Sequence, residues 1–194
     1  MNKFTFIYLL IFIVIINSSC SKEDNGFTAS SSNQSSAKQN YFIGEHYGGG
    51  IIFYLNQSGT HGIIAAPDDL EEPASWSKKD TLNGTFSAKL GAGFTNTNSI
   101  YKTQGNPENE PDEYAALKCV ELIQNGYNDW YLPSKDELNK MYLHKDVIGG
   151  FSTFSYWSST EQNSSKAWFQ NFTNGNQIAE VKTAGYAIRP VRYF

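Results

Sequence analysis

Asn128-Asp129-Trp130-Tyr131-Leu132-Pro133-Ser134-Lys135-Asp136-Glu137-Leu138 is the stretch that decides how this chain folds. Ser134-Lys135-Asp136-Glu137 has the capping-box form, in which the Ser oxygen takes one free amide and the Glu carboxylate reaches back to another. The spacing predicts a helix from Ser134, with Leu138, Met141 and Tyr142 turned inward and Gly149-Gly150 closing the segment. Leu132-Pro133-Ser134 converts an extended approach into that helix. Trp130 just before it has the bulk of a core aromatic.

Upstream, a first helix is expected from about Asp112 to Gln124. Ala115, Ala116, Cys119, Val120, Leu122 and Ile123 form its apolar stripe, and Asn125-Gly126 ends it. Further upstream, Ile51–Leu55 and Gly62–Ala66 read as a buried hairpin around Asn56–His61. The segments 67–94 and 96–109 read as long irregular connections, with Trp76 as the one obvious anchor. Downstream the chain reads as β. Phe154–Ser158 is one strand, Ala167–Phe172 and Gln177–Lys182 flank the tight turn Thr173–Asn176, and Tyr186–Phe194 is terminal. Pro190 inside that last strand predicts a bulge or an edge. Helices grouped between strands, without βαβ alternation, give an α+β class with two helices.

The N-terminus has another character. Lys3 precedes Phe4–Ile16, which is apolar except for Thr5. As a helix this run is roughly 20 Å long, too short for a hydrocarbon core but suited to a signal peptide. Residues 1–19 are therefore expected to be a signal. Asn17-Ser18-Ser19-Cys20 resembles a lipoprotein processing site, so Cys20 is the expected lipidation position. Ser21-Lys22-Glu23-Asp24 resembles the surface-export signal of Bacteroidota lipoproteins. The expected localisation is a lipid anchor in the outer membrane, facing the cell exterior. Ser21–Asn40 holds 11 Ser, Asn or Gln in 20 residues and reads as a tether. One domain, 41–194, remains.

Composition narrows the function. The formal net charge is −4, so no basic field exists to hold a nucleic acid. A domain of about 154 residues is too small for a catalytic barrel or a two-domain dinucleotide enzyme. No Gly-x-Ser-x-Gly elbow, His-Glu-x-x-His or Walker loop is present, and His46, His61 and His144 are scattered. No catalytic residue is expected. With Cys20 lipidated, Cys119 has no disulfide partner and reads as a buried, inert thiol.

Four ordered motifs carry a resemblance. Asp129-Trp130-Tyr131-Leu132-Pro133-Ser134 with Glu137-Leu138 is the first, and Tyr156-Trp157-Ser158-Ser159-Thr160 is the second. Ala167-Trp168 with Phe172 and Gly175 is the third, and Ile188-Arg189-Pro190-Val191-Arg192 the last. Together they resemble the Lcl C-terminal domain family, most strongly over 114–194. Tyr131 stands where the family commonly has Arg. The resemblance implies a C-type-lectin-like fold and a surface recognition or adhesion module whose ligand is a glycan or a host or matrix protein. The alternative is an envelope assembly protein that binds another bacterial protein, and an enzyme on the same fold ranks third.

Most motif residues read as architecture: Trp130, Leu132, Pro133, Glu137, Trp157, Ser158, Ser159 and Trp168. The expected ligand-contact candidates are Trp76 and the only two arginines, Arg189 and Arg192. A guanidinium fork suits a carboxylate or sulfate, although an ion pair to a helix acid such as Asp136 or Glu137 is the favoured reading. Glu108, Glu110, Asp112 and Glu113 form an acidic loop whose hard oxygens suit Ca²⁺, and a solvated acidic loop is the favoured reading there. No other cofactor is expected.

Overall fold

The computed structural model describes residues 40–105, 113–152 and 154–194. The class is α+β, with four helices and three antiparallel sheets among the described residues. The first sheet holds β1 (His46–Tyr47), β2 (Gly50–Leu55), β3 (Gly62–Ala65) and the last strand β9 (Val191–Tyr193), in that order. The chain thus closes by laying its end beside its opening hairpin, with Ile63 opposite Tyr193 and Ala65 opposite Val191. Tyr41 fixes the start of the domain at the same corner. Its ring lies 4.6 Å from Tyr47 and 4.9 Å from Phe194.

A short pair joins β4 (Ala74–Ser75) to β8 (Gly185–Tyr186). The third sheet is the meander β5 (Ser155–Glu161), β6 (Lys166–Asn171) and β7 (Gln177–Val181). The expected terminal strand 186–194 is in fact two strands. Pro190 lies in the gap, where its carbonyl takes the Ala66 amide at 2.9 Å. Bulky buried side chains from the sheets and helices, among them Phe53, Trp76, Ile100, Leu138 and Trp157, fill the core between them.

α3 (Lys135–Leu143) begins as expected. The Ser134 side chain accepts from the Glu137 amide, and Glu137 reaches back to the Ser134 amide at 2.8 Å. α4 (Lys145–Ile148) follows and stops at Gly149. α2 spans only Ala115–Val120, shorter than the expected 112–124 helix. Ile123, assigned to its apolar stripe, is 79% exposed, because the chain has already left the helix for the Asn125-Gly126 turn.

α1 (Gly93–Gln104) occupies a segment expected to be loop. Its buried face is Gly93, Asn96, Thr97 and Ile100, which has helical spacing but is mostly polar. The polar groups are satisfied rather than hidden. Thr97 Oγ1 accepts the Leu132 amide at 3.0 Å, and Asn96 Nδ2 donates to the Ser87 carbonyl at 2.8 Å.

Candidate functional site

The four motifs form one scaffold because they bond to each other. The Ser159 amide donates to the Pro133 carbonyl at 2.7 Å, and the Lys135 amide donates to Thr160 Oγ1 at 3.0 Å. Tyr131 and Val191 exchange both backbone hydrogen bonds, at 2.8 and 2.9 Å. Ser158 Oγ donates to the Trp168 carbonyl at 2.7 Å, and Trp157 Nε1 donates to the Ala74 carbonyl at 3.0 Å. Trp130, Leu132, Pro133, Glu137, Trp157, Ser158 and Ser159 are buried. Trp168 departs from the core expectation: it is only half-buried, on the outer face of the meander under Lys135 Nζ, 3.5 Å from the ring centre. It lies on β6 beside buried Ala167 and Phe169, which point the opposite way.

The ligand-contact candidates are consumed by the same scaffold. Trp76 is fully buried and its indole N–H donates to the Ser158 carbonyl at 2.7 Å, so it offers no ligand face. Arg189 is also fully buried. Its Nε meets Asp69 Oδ1 at 2.7 Å, and its other nitrogens bond the carbonyls of Ala66, Pro67 and Gly150. Arg192 is bidentate with Asp129, at 2.6 and 2.9 Å, and stacks 3.9 Å above the Tyr127 ring. Both arginines are thus ion-paired, but to loop acids and not to Asp136 or Glu137. Every fork nitrogen has a protein acceptor, so both forks are built into the fold, and fully buried Arg189 presents no face to an anionic ligand. The thiol of Cys119 is buried and unpaired in a disulfide, and burial pushes it well above its usual range.

Cys20 and the acids Glu108, Glu110 and Asp112 lie outside the described residues. Glu113 is described: it is exposed and pairs with Lys118 Nζ at 2.8 Å. Among the described residues no group of three His, Cys, Asp or Glu is placed to hold a metal ion.

Two features escaped the sequence reading. The first is a buried ion pair, Glu161 Oε2 to Lys182 Nζ at 2.8 Å, with both side chains fully covered. The Asn83 and Thr85 amides donate to the same carboxylate, and Lys182 also donates to the Thr81 carbonyl at 2.9 Å. Burial pushes the Glu161 carboxyl up, but Lys182 and the amides outweigh it and hold the group below its usual range. This pair fastens the long segment before α1 to the meander. Nothing in the sequence marks these two among its many acids and lysines.

The second is an open cleft of about 230 Å³ between the opening hairpin, the segment before α1 and the terminal strand. Tyr54, Leu90, Tyr193 and Phe194 supply its apolar surface, and Asn56 and His61 its polar groups. At its edge the Tyr193 hydroxyl donates to Glu137 Oε1 at 3.2 Å. Glu137 is wholly buried and also accepts the Gly91 amide at 2.8 Å. Burial raises its carboxyl above the usual range, and the Ser134 and Gly91 amides pull it part of the way back. Burial likewise pushes the Tyr193 phenol up to about 12, so it stays protonated as the donor. Under it, the Tyr131 hydroxyl reaches toward Glu137 and Tyr193 but completes a hydrogen bond to neither.

The family described as the Lcl C-terminal domain matches residues 68–192. The chain belongs to the Lcl C-terminal domain family. The match takes in Asp69, Trp76, α1 and all four motifs, so in this family member the long segment before α1 is part of the domain itself. A fimbrial protein from Bacteroides ovatus ATCC 8483 is similar in structure, at 16% identity and a TM-score of 0.38. The similarity covers 68% of this chain and 35% of that one, so the chain spans about a third of the protein it resembles. No match is found among curated proteins. Among the described residues no helix is long and apolar enough to cross a membrane.

Proposed function

We propose that this protein is a lipid-anchored recognition module of the outer cell surface, held by Cys20 on a polar tether and binding an extracellular glycan or a host or matrix protein. The observation that carries this reading is how three ion pairs are used. Arg192–Asp129 and Glu161–Lys182 each pin a loop to a strand, and Arg189–Asp69 pins the segment after β3 to the one between β8 and β9. Loops fixed in advance lose little freedom when a ligand arrives, which favours binding. The return of β9 beside the opening hairpin is in keeping with a C-type-lectin-like arrangement. The family membership supports a surface role.

The test is a binding screen. The full chain in mild detergent is applied to a glycan array and to immobilised matrix proteins, with calcium and then with EDTA. The expected result is a specific hit that survives in folded protein and is lost on heat denaturation. A folded chain that binds neither glycans nor matrix proteins would defeat the proposal.

One observation favours the second reading, an assembly protein binding another bacterial protein. β7 is the outer strand of the meander, and Ile178 and Val181 on it are 48% and 42% exposed. An apolar outer strand is a place where another chain can add a strand. A stable partner in cross-linked envelopes, lost on Ile178→Lys, would support that reading.

A further inference from the structure

We infer that the cleft beside the terminal strand is a binding site for one ring of a neutral sugar, and that it works without a metal ion. The inference rests on the recognition reading above and names the ligand class. Its first support is charge: among the described residues, no Asp, Glu, Lys or Arg lines the cleft. The one carboxylate at its edge, Glu137, is buried behind Tyr193 and already engaged. An anionic ligand would find no Lys or Arg partner there, whereas a neutral one needs none.

The second support is the pattern of hydrogen-bonding groups, which follows from their existing partners. His61 Nδ1 lies 3.2 Å from the backbone oxygen of Phe194. That oxygen only accepts, so Nδ1 carries a hydrogen and, in the neutral ring, Nε2 is an acceptor. The Tyr193 hydroxyl is turned to buried Glu137 and Tyr131, so it gives the cleft its ring and not an acceptor. Asn56 Oδ1 takes the Ser58 hydroxyl at 2.8 Å, and its amide nitrogen has no partner among the described residues. The cleft therefore offers one acceptor, His61, and one amide donor, Asn56, around Tyr54, Tyr193 and Phe194. One sugar hydroxyl donates to His61, another accepts from the Asn56 amide, and the C–H face of the ring rests on the aromatic surface.

The third support is size. A space of about 230 Å³ is smaller than pockets that enclose drug-sized ligands, so it accommodates a single ring with the rest of a glycan outside.

The probe is a panel of neutral methyl glycosides, alongside sulfated and sialylated counterparts, titrated into the full chain in detergent with EDTA present. Saturation-transfer NMR reads binding and circular dichroism confirms the fold. At least one neutral glycoside is expected to bind. His61→Ala, at an exposed position, is expected to weaken it about tenfold, and Asn56→Ala by a similar factor. If a glycoside binds but both folded variants bind it equally well, the site is wrong. Tighter binding of the sulfated or sialylated form, or binding only when calcium is restored, overturns the ligand class. A chain that binds a matrix protein or a charged glycan but no neutral sugar overturns this inference and leaves the recognition reading standing. A chain that binds none of them overturns both.

Discussion

Glu161 and Lys182 meet 2.8 Å apart with no exposed surface on either side chain, and together they hold the backbone of Thr81, Asn83 and Thr85. Removing one partner strands the other in a place without water. Glu161→Ala is expected to destabilise the fold by about 3–5 kcal/mol. The double change Glu161→Leu with Lys182→Met leaves no stranded charge and is expected to lose less than the single one. Urea denaturation of the wild type and both variants checks this ordering.

The two buried glutamates respond to pH in opposite directions. Glu161 sits below its usual range, so its contribution is present above about pH 4.3 and lost as the pH falls through its folded value. Glu137 sits above its usual range, so the folded state keeps that proton longer and loses stability as the pH rises past about 4.3. Glu137→Gln keeps an acceptor for the capping box and removes the second slope. The variant's melting temperature relative to wild type is expected to rise between about pH 4 and pH 7. A constant difference would show that Glu137 is not perturbed.

Tyr131→Phe deletes a buried hydroxyl that has no hydrogen-bond partner. The expected change in stability lies between zero and a gain of about 1 kcal/mol, read by thermal melting. A clear loss would mean that the hydroxyl is bonded after all.

Gly93→Ala places a methyl group against Glu137 Oε2 and the Tyr131 ring, where α1 starts beneath α3. A loss of about 2 kcal/mol is expected, with α1 shifted away from the capping box. Melting curves and amide hydrogen exchange over 91–97 report both effects.

Cys20→Ala is expected to release the protein from the membrane fraction into the soluble fraction. Retention in the membrane pellet would defeat the lipid-anchor proposal.

What the sequence made legible was local. The capping box at Ser134 and Glu137 and the hairpin around Gly175 each depend on neighbours a few residues apart, and both stand in the structure. α1 was hidden because Asn96 and Thr97 fill positions where a search for a helix looks for apolar side chains. The arginines could be read as paired but not to whom, since Asp69 and Asp129 reach them only once the long loops are folded down. The cleft was illegible for the same reason. Tyr54, His61, Leu90 and Tyr193 become neighbours only through the β3–β9 register and the path of the segment before α1.

The contact between Tyr41 and Phe194 sets where mechanical load would travel. Phe194 both meets Tyr41 edge to face and walls the cleft. A pull between an anchor preceding Tyr41 and a ligand in that cleft would cross one corner of the molecule, through Tyr41, Phe194 and the β3–β9 ladder. The meander, a separate sheet, lies off that line. Under flow such a domain would fail first by peeling at its aromatic corner, while the rest of the fold stayed slack.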